Sequence, residues 1–222
     1  MLKNNKPYLI IDFDSTLVQV ESMEELADIV LEGRADKQEV LEKIKNITDL
    51  GMKGKLDFPT SLAQRLNLLP VTKDHLHQLV VRLRQKITPS AKQNRNFFLQ
   101  NFDRIFVISG GFSDFIVPVV GDLGIQRERI LANEFHFDIR GQVTGFDPDN
   151  FLAQKDGKVK QVRDLNLKDE VWVIGDGWAD YQIKEGGAAD KFVAFTENIS
   201  RKEVKKQADM VADSFKDIID NY

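Results

Sequence analysis

The chain has 222 residues, of which 42% are hydrophobic and 30% charged, a balance typical of a globular protein with a sizeable core. Its formal net charge of -4 and its scattered basic residues argue against a nucleic-acid-binding surface. It contains no cysteine, which excludes disulfides, thiolate metal sites and cysteine catalysis. No apolar run is long enough for a membrane span, and residues 1–7 lack the apolar core of a signal peptide, so we expect a cytoplasmic protein.

The first part of the chain reads as one strand followed by helices. The apolar run at 8–11 predicts a buried strand. Apolar residues at helical spacing predict helices through most of 17–87, among them 58–68, which has Pro59 in its first turn, and 72–86. We expect a helical cap at 17–87, inserted into a core formed by residues 1–16 and 88–222.

From residue 88 onward, predicted strands and helices alternate. This alternation predicts a doubly wound parallel α/β sheet, with the cap over the strand ends. The predicted helices cover 92–100, 114–123, 158–165, 181–185, 200–207 and 215–219. The predicted strands cover 104–109, 130–137, 171–174, 192–195 and 210–211, with a hairpin return at 143–145.

Two acidic residues, Asp12 and Asp14, end the first strand. Side chains at i and i+2 of an extended chain lie on the same side, so the two carboxylates are crowded unless a cation or a proton compensates them. Ligands of open α/β sheets bind at this end of the strands. The pair therefore suggests a carboxylate nucleophile, a neighbouring carboxyl for proton transfer and a hard cation, although an acidic turn before a helix is the simpler interpretation.

Two later strands end in residues of related chemistry. Ser109 and Gly110 follow an apolar strand and precede a helix, which suits a phosphate or carboxylate but also an ordinary glycine-rich turn. Asp176 lies between two glycines after another strand, and Asp180 follows it by four residues. Each of these aspartates alone fits a turn or a helix cap. Three such strand ends together indicate one site.

A lysine near the start of the predicted helix at 158–165 completes the set. A lysine there can reach a phosphate and balance the carboxylates, although most lysines are solvated surface residues. The ligand set consists of oxygen atoms, which suits Mg²⁺. The residues together predict Mg²⁺-dependent phosphoryl transfer through an aspartyl phosphate.

The motifs in this order resemble the haloacid dehalogenase-like superfamily of phosphatases, and within it the phosphoserine phosphatase family. The resemblance covers nearly the whole chain. It implies that Asp12 is the nucleophile and that Asp14 first protonates the leaving serine oxygen and later activates water. It also implies Mg²⁺ bound by Asp12, Asp14 and Asp176, with Asp180 in support.

The resemblance assigns further residues to the substrate. In the second motif, Ser109 and Gly110 would bind the phosphate. Lys158 matches the lysine of the next motif, with Lys155 as the alternative if the loop length differs. In the cap, Glu21 would hold the serine ammonium and Arg65 the carboxylate, a bidentate pairing that arginine suits. Met52 and Phe58 match apolar residues that close over the substrate.

One position departs from the family's pattern, since Ala179 stands where the family usually has asparagine. Alanine cannot make the hydrogen bonds of that amide, so a water or another side chain must replace it. The leading hypothesis is hydrolysis of O-phospho-L-serine in serine biosynthesis by a monomer or homodimer. One alternative is the same chemistry on another small phosphorylated metabolite, such as phosphohomoserine. The other is a non-catalytic ligand-binding module, which Ala179 alone favours.

Overall fold

The computed structural model describes residues 6–52 and 55–222, with 49, 51 and 52 described by their backbone alone. Six parallel strands form one sheet in the order β3-β2-β1-β6-β7-β8, and β4 and β5 form a separate antiparallel hairpin. The predicted doubly wound parallel sheet is confirmed. The strands are β1 (Tyr8–Ile11), β2 (Ile105–Phe112), β3 (Ile130–Asn133), β4 (Phe135–Phe137), β5 (Val143–Phe146), β6 (Val171–Gly175), β7 (Lys191–Phe195) and β8 (Met210–Ala212).

Helices cover both faces of the sheet and fill the segment between β1 and β2. The helix predicted at 92–100 is two helices, α5 and α6, that meet at Asn94, so this prediction was wrong in its start and its continuity. The helices are α1 (Ser22–Val30), α2 (Lys37–Met52), α3 (Phe58–Asn67), α4 (Lys73–Gln85), α5 (Pro89–Gln93), α6 (Arg95–Gln100), α7 (Ser113–Val120), α8 (Gly157–Asp164), α9 (Trp178–Glu185), α10 (Lys202–Lys205) and α11 (Phe215–Asp220).

Strand β1 lies at the centre of the sheet, between β2 and β6. Its side chains alternate between two apolar clusters. Leu9 and Ile11 pack into the cluster that includes the cap helices, and Ile10 packs into the cluster on the opposite face, with α8 and α9. A strand buried on both faces needs an apolar side chain at every position, which is why 8–11 is a continuous apolar run. This packing fixes the point at which Asp12 leaves the sheet.

We refer to the four helices α1–α4, which lie between β1 and β2 in the chain, as the cap. Local sequence signals fix where two of them begin. Asp57 accepts a hydrogen bond from Thr60 N (2.9 Å) and Pro59 occupies the first turn, so α3 starts there. Thr72 and His75 form a reciprocal capping box at the start of α4. The domain boundary at 17–87 stays a prediction. None of the helices within 6–52 and 55–222 is long and apolar enough to cross a membrane.

Candidate active site

The three strand ends singled out in the sequence belong to neighbouring strands. Asp12 follows β1, Ser109 and Gly110 lie near the end of β2, and Asp176 follows β6. Since β2, β1 and β6 are adjacent and parallel, these residues meet at one edge of the sheet. The backbone N–H of Asp12 donates to Ile174 O (2.9 Å), which continues the β1–β6 ladder into the site.

Three carboxylates converge at this edge. Asp12, Asp176 and Asp180 each present an oxygen atom, and these atoms lie within 4.8 Å of one another. Asp180 lies in the first turn of α9 and accepts a hydrogen bond from Gly177 N (3.0 Å). Its carboxylate lies so close to the chain that a Cβ on Gly175 would be 2.2 Å from Oδ2. Glycine at 175 therefore lets the third carboxylate reach the other two.

Lys158 lies between two of the carboxylates. Its Nζ is 2.7 Å from Asp12 Oδ1 and 2.7 Å from Asp180 Oδ1. The backbone N–H of Phe13 also donates to Asp12 Oδ1 (2.7 Å), so two contacts orient this carboxylate. Lys155, the alternative considered from the sequence, is exposed. The contacts favour Lys158 as the lysine of the site.

The buried carboxylates are short of positive charge. Burial raises the pKa of Asp12 well above its ordinary value, and repulsion from Asp180 raises it further. Burial likewise raises the pKa of Asp176 to about 6, although the Arg201 Nε–H donates to its Oδ2 (2.9 Å). Burial alone would lower the pKa of Lys158, but the carboxylates of Asp12 and Asp180 outweigh it and raise this pKa.

This charge balance fits a bound cation. Three carboxylates face two cationic side chains, so a divalent cation would relieve the remaining repulsion. The ligand set of oxygen atoms, without sulfur or imidazole, is the one that hard cations prefer. Asp14, which the sequence resemblance placed among the metal ligands, lies outside this group, while Asp180, expected only in support, belongs to it. Both assignments stay predictions.

The carboxylate of Asp14 is directed to the start of the cap. It accepts hydrogen bonds from Ser22 N (2.9 Å) and Ser22 Oγ (3.1 Å), and so caps the first turn of α1 from outside the helix. Burial raises the pKa of Asp14 to about 7, and the nearby carboxylate of Glu21 contributes to the increase. A carboxyl group with this pKa can both donate and accept a proton near neutral pH.

The second motif lies in the last part of β2, where the register with β3 shifts between Ile108 and Phe112. Ser109 is 1% exposed, and its Oγ accepts a hydrogen bond from Gly111 N (3.0 Å). Asn133 donates from Nδ2 to Gly110 O (2.9 Å), which holds this irregular strand end from the side of β3. A Cβ added to Gly110 would lie 2.9 Å from Cζ of Phe58 on α3. The aromatic ring of the cap therefore packs directly against this strand end.

The cap places two charged residues of opposite sign near Asp14. Glu21 accepts a hydrogen bond from Ser15 Oγ at Oε1 (2.7 Å). Arg65 donates from Nε to Ser61 O (3.3 Å); burial lowers its pKa, and the negative charges of Asp14, Glu21 and Glu24 oppose that shift. The carboxylate of Glu21 and the guanidinium of Arg65 thus both lie close enough to Asp14 to interact with its charge. The side chain of Met52 lies outside the described residues, so its assignment stays a prediction.

Sequence reasoning missed Arg201. Its Nε–H donates to Asp176 Oδ2 (2.9 Å), and its Nη2 lies 3.8 Å from Glu21 Oε1. Arg201 follows β7 on a segment that carries no recognised motif. A signal was nevertheless available, because β7 is the neighbour of β6 and its carboxyl end lies at the same edge of the sheet.

Comparison with known proteins places the chain in a family. A family model for haloacid dehalogenase-like hydrolases matches residues 9–184. The chloroplastic phosphoserine phosphatase of Arabidopsis thaliana is 30% identical over 213 residues, which cover 95% of this chain and 70% of that protein. The chain belongs to the phosphoserine phosphatase family of haloacid dehalogenase-like hydrolases. This membership confirms the resemblance identified from the motifs. It also confirms the prediction that the protein is a phosphoric monoester hydrolase.

Solved structures agree with this membership. A phosphoserine phosphohydrolase-like protein from Francisella tularensis subsp. tularensis SCHU S4 superposes with a TM-score of 0.84 at 32% identity, over 97% of this chain and 99% of that one. A phosphoserine phosphatase solved as a phospho-aspartyl intermediate analogue superposes with a TM-score of 0.75 at 25% identity, over 98% of this chain and 99% of that one.

In this haloacid dehalogenase-like hydrolase, Ala179 lies beside an open space that the longer side chain of an asparagine would partly fill. Ala179 lines a cavity of about 130 Å³ that is also bordered by Phe58, Gly110 and Lys158. A cavity of this size beside polar groups has room for ordered water, since one water needs only about 10–15 Å³ of such volume. The space beside Ala179 is therefore large enough for water.

Proposed function

We propose that this phosphatase hydrolyses O-phospho-L-serine to L-serine and phosphate through an aspartyl phosphate on Asp12, with Mg²⁺ as its cofactor. The observation that carries the proposal is that Glu21 and Arg65 both lie in the cap close enough to Asp14 for their charges to interact with its carboxylate. An ammonium and a carboxylate on one small substrate match a carboxylate and a guanidinium in the cap.

In the first half-reaction, the carboxylate of Asp12 attacks the phosphorus atom. A bond forms between phosphorus and the Asp12 oxygen while the bond from phosphorus to the serine oxygen breaks. Asp14 donates its proton to that departing oxygen. Lys158 and the Phe13 N–H, both on Oδ1, hold the attacking carboxylate in one orientation, which lowers the entropic cost of the attack.

In the second half-reaction, a water attacks the phosphorus atom of the aspartyl phosphate. Asp14 takes a proton from that water, the bond from phosphorus to Asp12 breaks and phosphate leaves. The raised pKa of Asp14, about 7, suits a group that gives a proton in one step and takes it back in the next. Asp12 and Asp14 then have the protonation states with which they began.

Phosphate approaching Asp12 brings negative charge to carboxylates that are already crowded. Asp12, Asp176 and Asp180 would hold Mg²⁺, and the bound cation supplies electrostatic stabilisation of the phosphoryl oxygens. Lys158 adds a second positive charge, and the hydroxyl of Ser109 adds a donor. Phe58, packed against Gly110, covers part of the phosphate-binding motif with an apolar ring.

The proposal is tested by phosphate release from O-phospho-L-serine, phosphohomoserine and p-nitrophenyl phosphate, each with and without Mg²⁺. We expect Mg²⁺-dependent turnover with the highest kcat/KM for phosphoserine, and none in Asp12→Asn. A higher kcat/KM for phosphohomoserine would make that compound the proposed substrate instead. The comparison is needed because the two substrates differ by one methylene, which discriminates by only about 1–3 kcal/mol. Ligand binding without turnover of any ester would favour the non-catalytic module. The cytoplasmic location and the oligomeric state stay predictions.

A further inference from the structure

The chain passes twice between the core and the cap, and the two passages lie side by side. We refer to residues 15–20 and 86–88 together as the hinge. Val18 and Ile87 form an antiparallel bridge, Gln19 N donates to Lys86 O (2.9 Å), and Thr88 N donates to Leu17 O (2.9 Å). Any change in the angle of the cap must therefore bend this short paired segment.

One side chain from a distant part of the chain is bound into the hinge. The amide nitrogen of Asn198, which follows β7, lies 2.8 Å from Thr88 Oγ1 and 3.1 Å from Ser15 O. It also lies 3.3 Å from Thr16 O and 3.4 Å from Val18 O. One amide group thus connects the outgoing passage of the hinge to the returning one.

The chemistry of these contacts requires a donor at position 198. Carbonyl oxygens only accept hydrogen bonds, and the hydroxyl of Thr88 already donates to Thr16 O (2.6 Å), so its oxygen accepts from Asn198. Thr88 is 0% exposed, so in the unchanged protein its oxygen is shielded from bulk water and accepts from this amide. A carboxylate of the same shape would meet four oxygen atoms and no donor.

The hinge passage that Asn198 holds continues directly into the site. Ser15 follows Asp14, has a positive φ of 53°, and donates from Oγ to Glu21 Oε1 (2.7 Å). A residue other than glycine is unfavourable in this region of backbone conformation unless its surroundings hold it there. The neighbouring Glu197 binds Ser90 N (3.1 Å) at the start of α5, directly after the returning passage. The segment 197–198 thus contacts both the hinge and the helix that follows it.

We propose that Asn198 is a positioning residue, which holds the hinge so that Glu21 and Arg65 of the cap stay close to Asp14. Asn198 makes none of the contacts assigned to the substrate, the phosphate or the cation. Its effect is on the cap, and so on recognition of the amino-acid part of the substrate. This inference rests on the proposed function for its kinetic test, and on the hinge contacts alone for its structural test.

Two pairs of variants separate hydrogen bonding from packing. Asn198→Asp keeps the shape and removes the donor, whereas Asn198→Ala removes both and leaves room for water. Thr88→Val keeps the shape and removes the hydroxyl, whereas Thr88→Ser keeps it. The matched control is Asn221→Asp, since Asn221 donates to Asp217 O (2.7 Å) on the last helix, far along the chain from the hinge.

We expect Asn198→Asp to raise KM for O-phospho-L-serine about tenfold, because a small displacement of the cap misplaces both charged groups. The kcat/KM for p-nitrophenyl phosphate, which has neither an ammonium nor a carboxylate, should stay near that of the unchanged protein. Asn198→Ala and Thr88→Val should have smaller effects of the same kind, and Thr88→Ser and Asn221→Asp none. Loss of both activities in the same proportion would overturn the proposal.

Amide hydrogen exchange followed by mass spectrometry tests the same inference without catalysis. Asn198→Asp should accelerate exchange in peptides that cover 15–20 and 86–88, and leave β6 unchanged, because only the hinge loses its donor. Unchanged exchange in the hinge, or a uniform acceleration along the whole chain, would contradict the proposed role. If the unchanged protein did not hydrolyse phosphoserine, the proposed function would be wrong. The exchange measurement would still test the role of Asn198, because it does not depend on the substrate.

Discussion

Nζ of Lys158 lies 2.7 Å from Oδ1 of Asp12, and the two side chains are only 13% and 12% exposed. At this burial, solvent screens the pair weakly, so each charge depends on the other. Burial alone favours neutral lysine, yet the carboxylates of Asp12 and Asp180 raise the pKa of Lys158 and keep it charged. The enzyme thus presents a fixed positive charge beside the proposed nucleophile.

Lys158→Met should abolish most of the activity. The variant loses the positive charge next to Asp12, and we expect kcat/KM to fall at least about 100-fold. Its free energy of unfolding without Mg²⁺ should fall by about 3–5 kcal/mol, because two buried carboxylates lose their partner. Phosphate release and urea denaturation measure these effects. Lys155→Met changes the exposed lysine three residues earlier and should alter neither quantity; the reverse result would make Lys155 the lysine of the site.

Arg65→Ala should change specificity more than chemistry. If Arg65 binds the substrate carboxylate, KM for O-phospho-L-serine should rise roughly 100-fold, as expected for loss of a charge-assisted bidentate contact. Turnover of p-nitrophenyl phosphate should persist. Arg34→Ala removes an exposed cap arginine that is paired with Asp36, and serves as the control. Equal kinetics of Arg65→Ala and Arg34→Ala on phosphoserine would exclude the assigned role.

Gly110→Ala should separate the cap from the second motif. The added Cβ would lie 2.9 Å from Cζ of Phe58, so the ring must shift away from the second motif. We expect kcat/KM for phosphoserine to fall about tenfold. In the Phe58→Ala background the same substitution should cost much less, which a double-mutant cycle measures directly. Gly121→Ala, where a Cβ meets no atom within 4 Å, should be silent; additive effects at 110 and 58 would refute the contact as the cause.

Removal of the cation should inactivate the enzyme reversibly. We expect a chelator to stop phosphate release and added Mg²⁺ to restore it. Mg²⁺ should also raise the Tm, because a ligand at about 100 times its Kd stabilises the native state by about 2.7 kcal/mol. This shift should disappear in Asp176→Asn and persist in Asp74→Asn, which changes an exposed aspartate at the start of α4. A shift of equal size in both variants would place the cation elsewhere.

The sheet and the meeting of Asp12, Asp176 and Ser109 were predictable because they depend on short-range patterns. An apolar run, a polar strand end and a following helix each occupy a few residues, and the parallel order of the strands brings their ends to one edge. The spacing of Asp180 from Asp176 also allowed these two aspartates to face one site, but the sequence indicated only a supporting role for Asp180. The contact between Asp180 and Lys158 does not test catalysis, but it favours Lys158 over Lys155 as the lysine of the site.

Arg201 and Asn198 could not be predicted in the same way. Their partners lie 25 or more positions away in the chain, and neither residue belongs to a pattern with a fixed local spacing. Which side chain follows β7 into the site depends on the path of the loop after Phe195, and that path is set by tertiary packing. The break between α5 and α6 at Asn94 has a local cause instead, since the side chain of Asn94 donates to Ser90 O (2.8 Å), four residues earlier, and competes with the hydrogen bonds of the helix backbone.

The central claim is that phosphoserine is hydrolysed through a phosphoryl group on Asp12. Rapid acid quenching during turnover of O-phospho-L-serine labelled at phosphorus, followed by peptide mapping, tests it most directly. We predict a base-labile label on the peptide that contains Asp12, formed in a burst and lost at the rate of turnover. Turnover without a labelled protein, or a label on a peptide that lacks Asp12, would contradict the account.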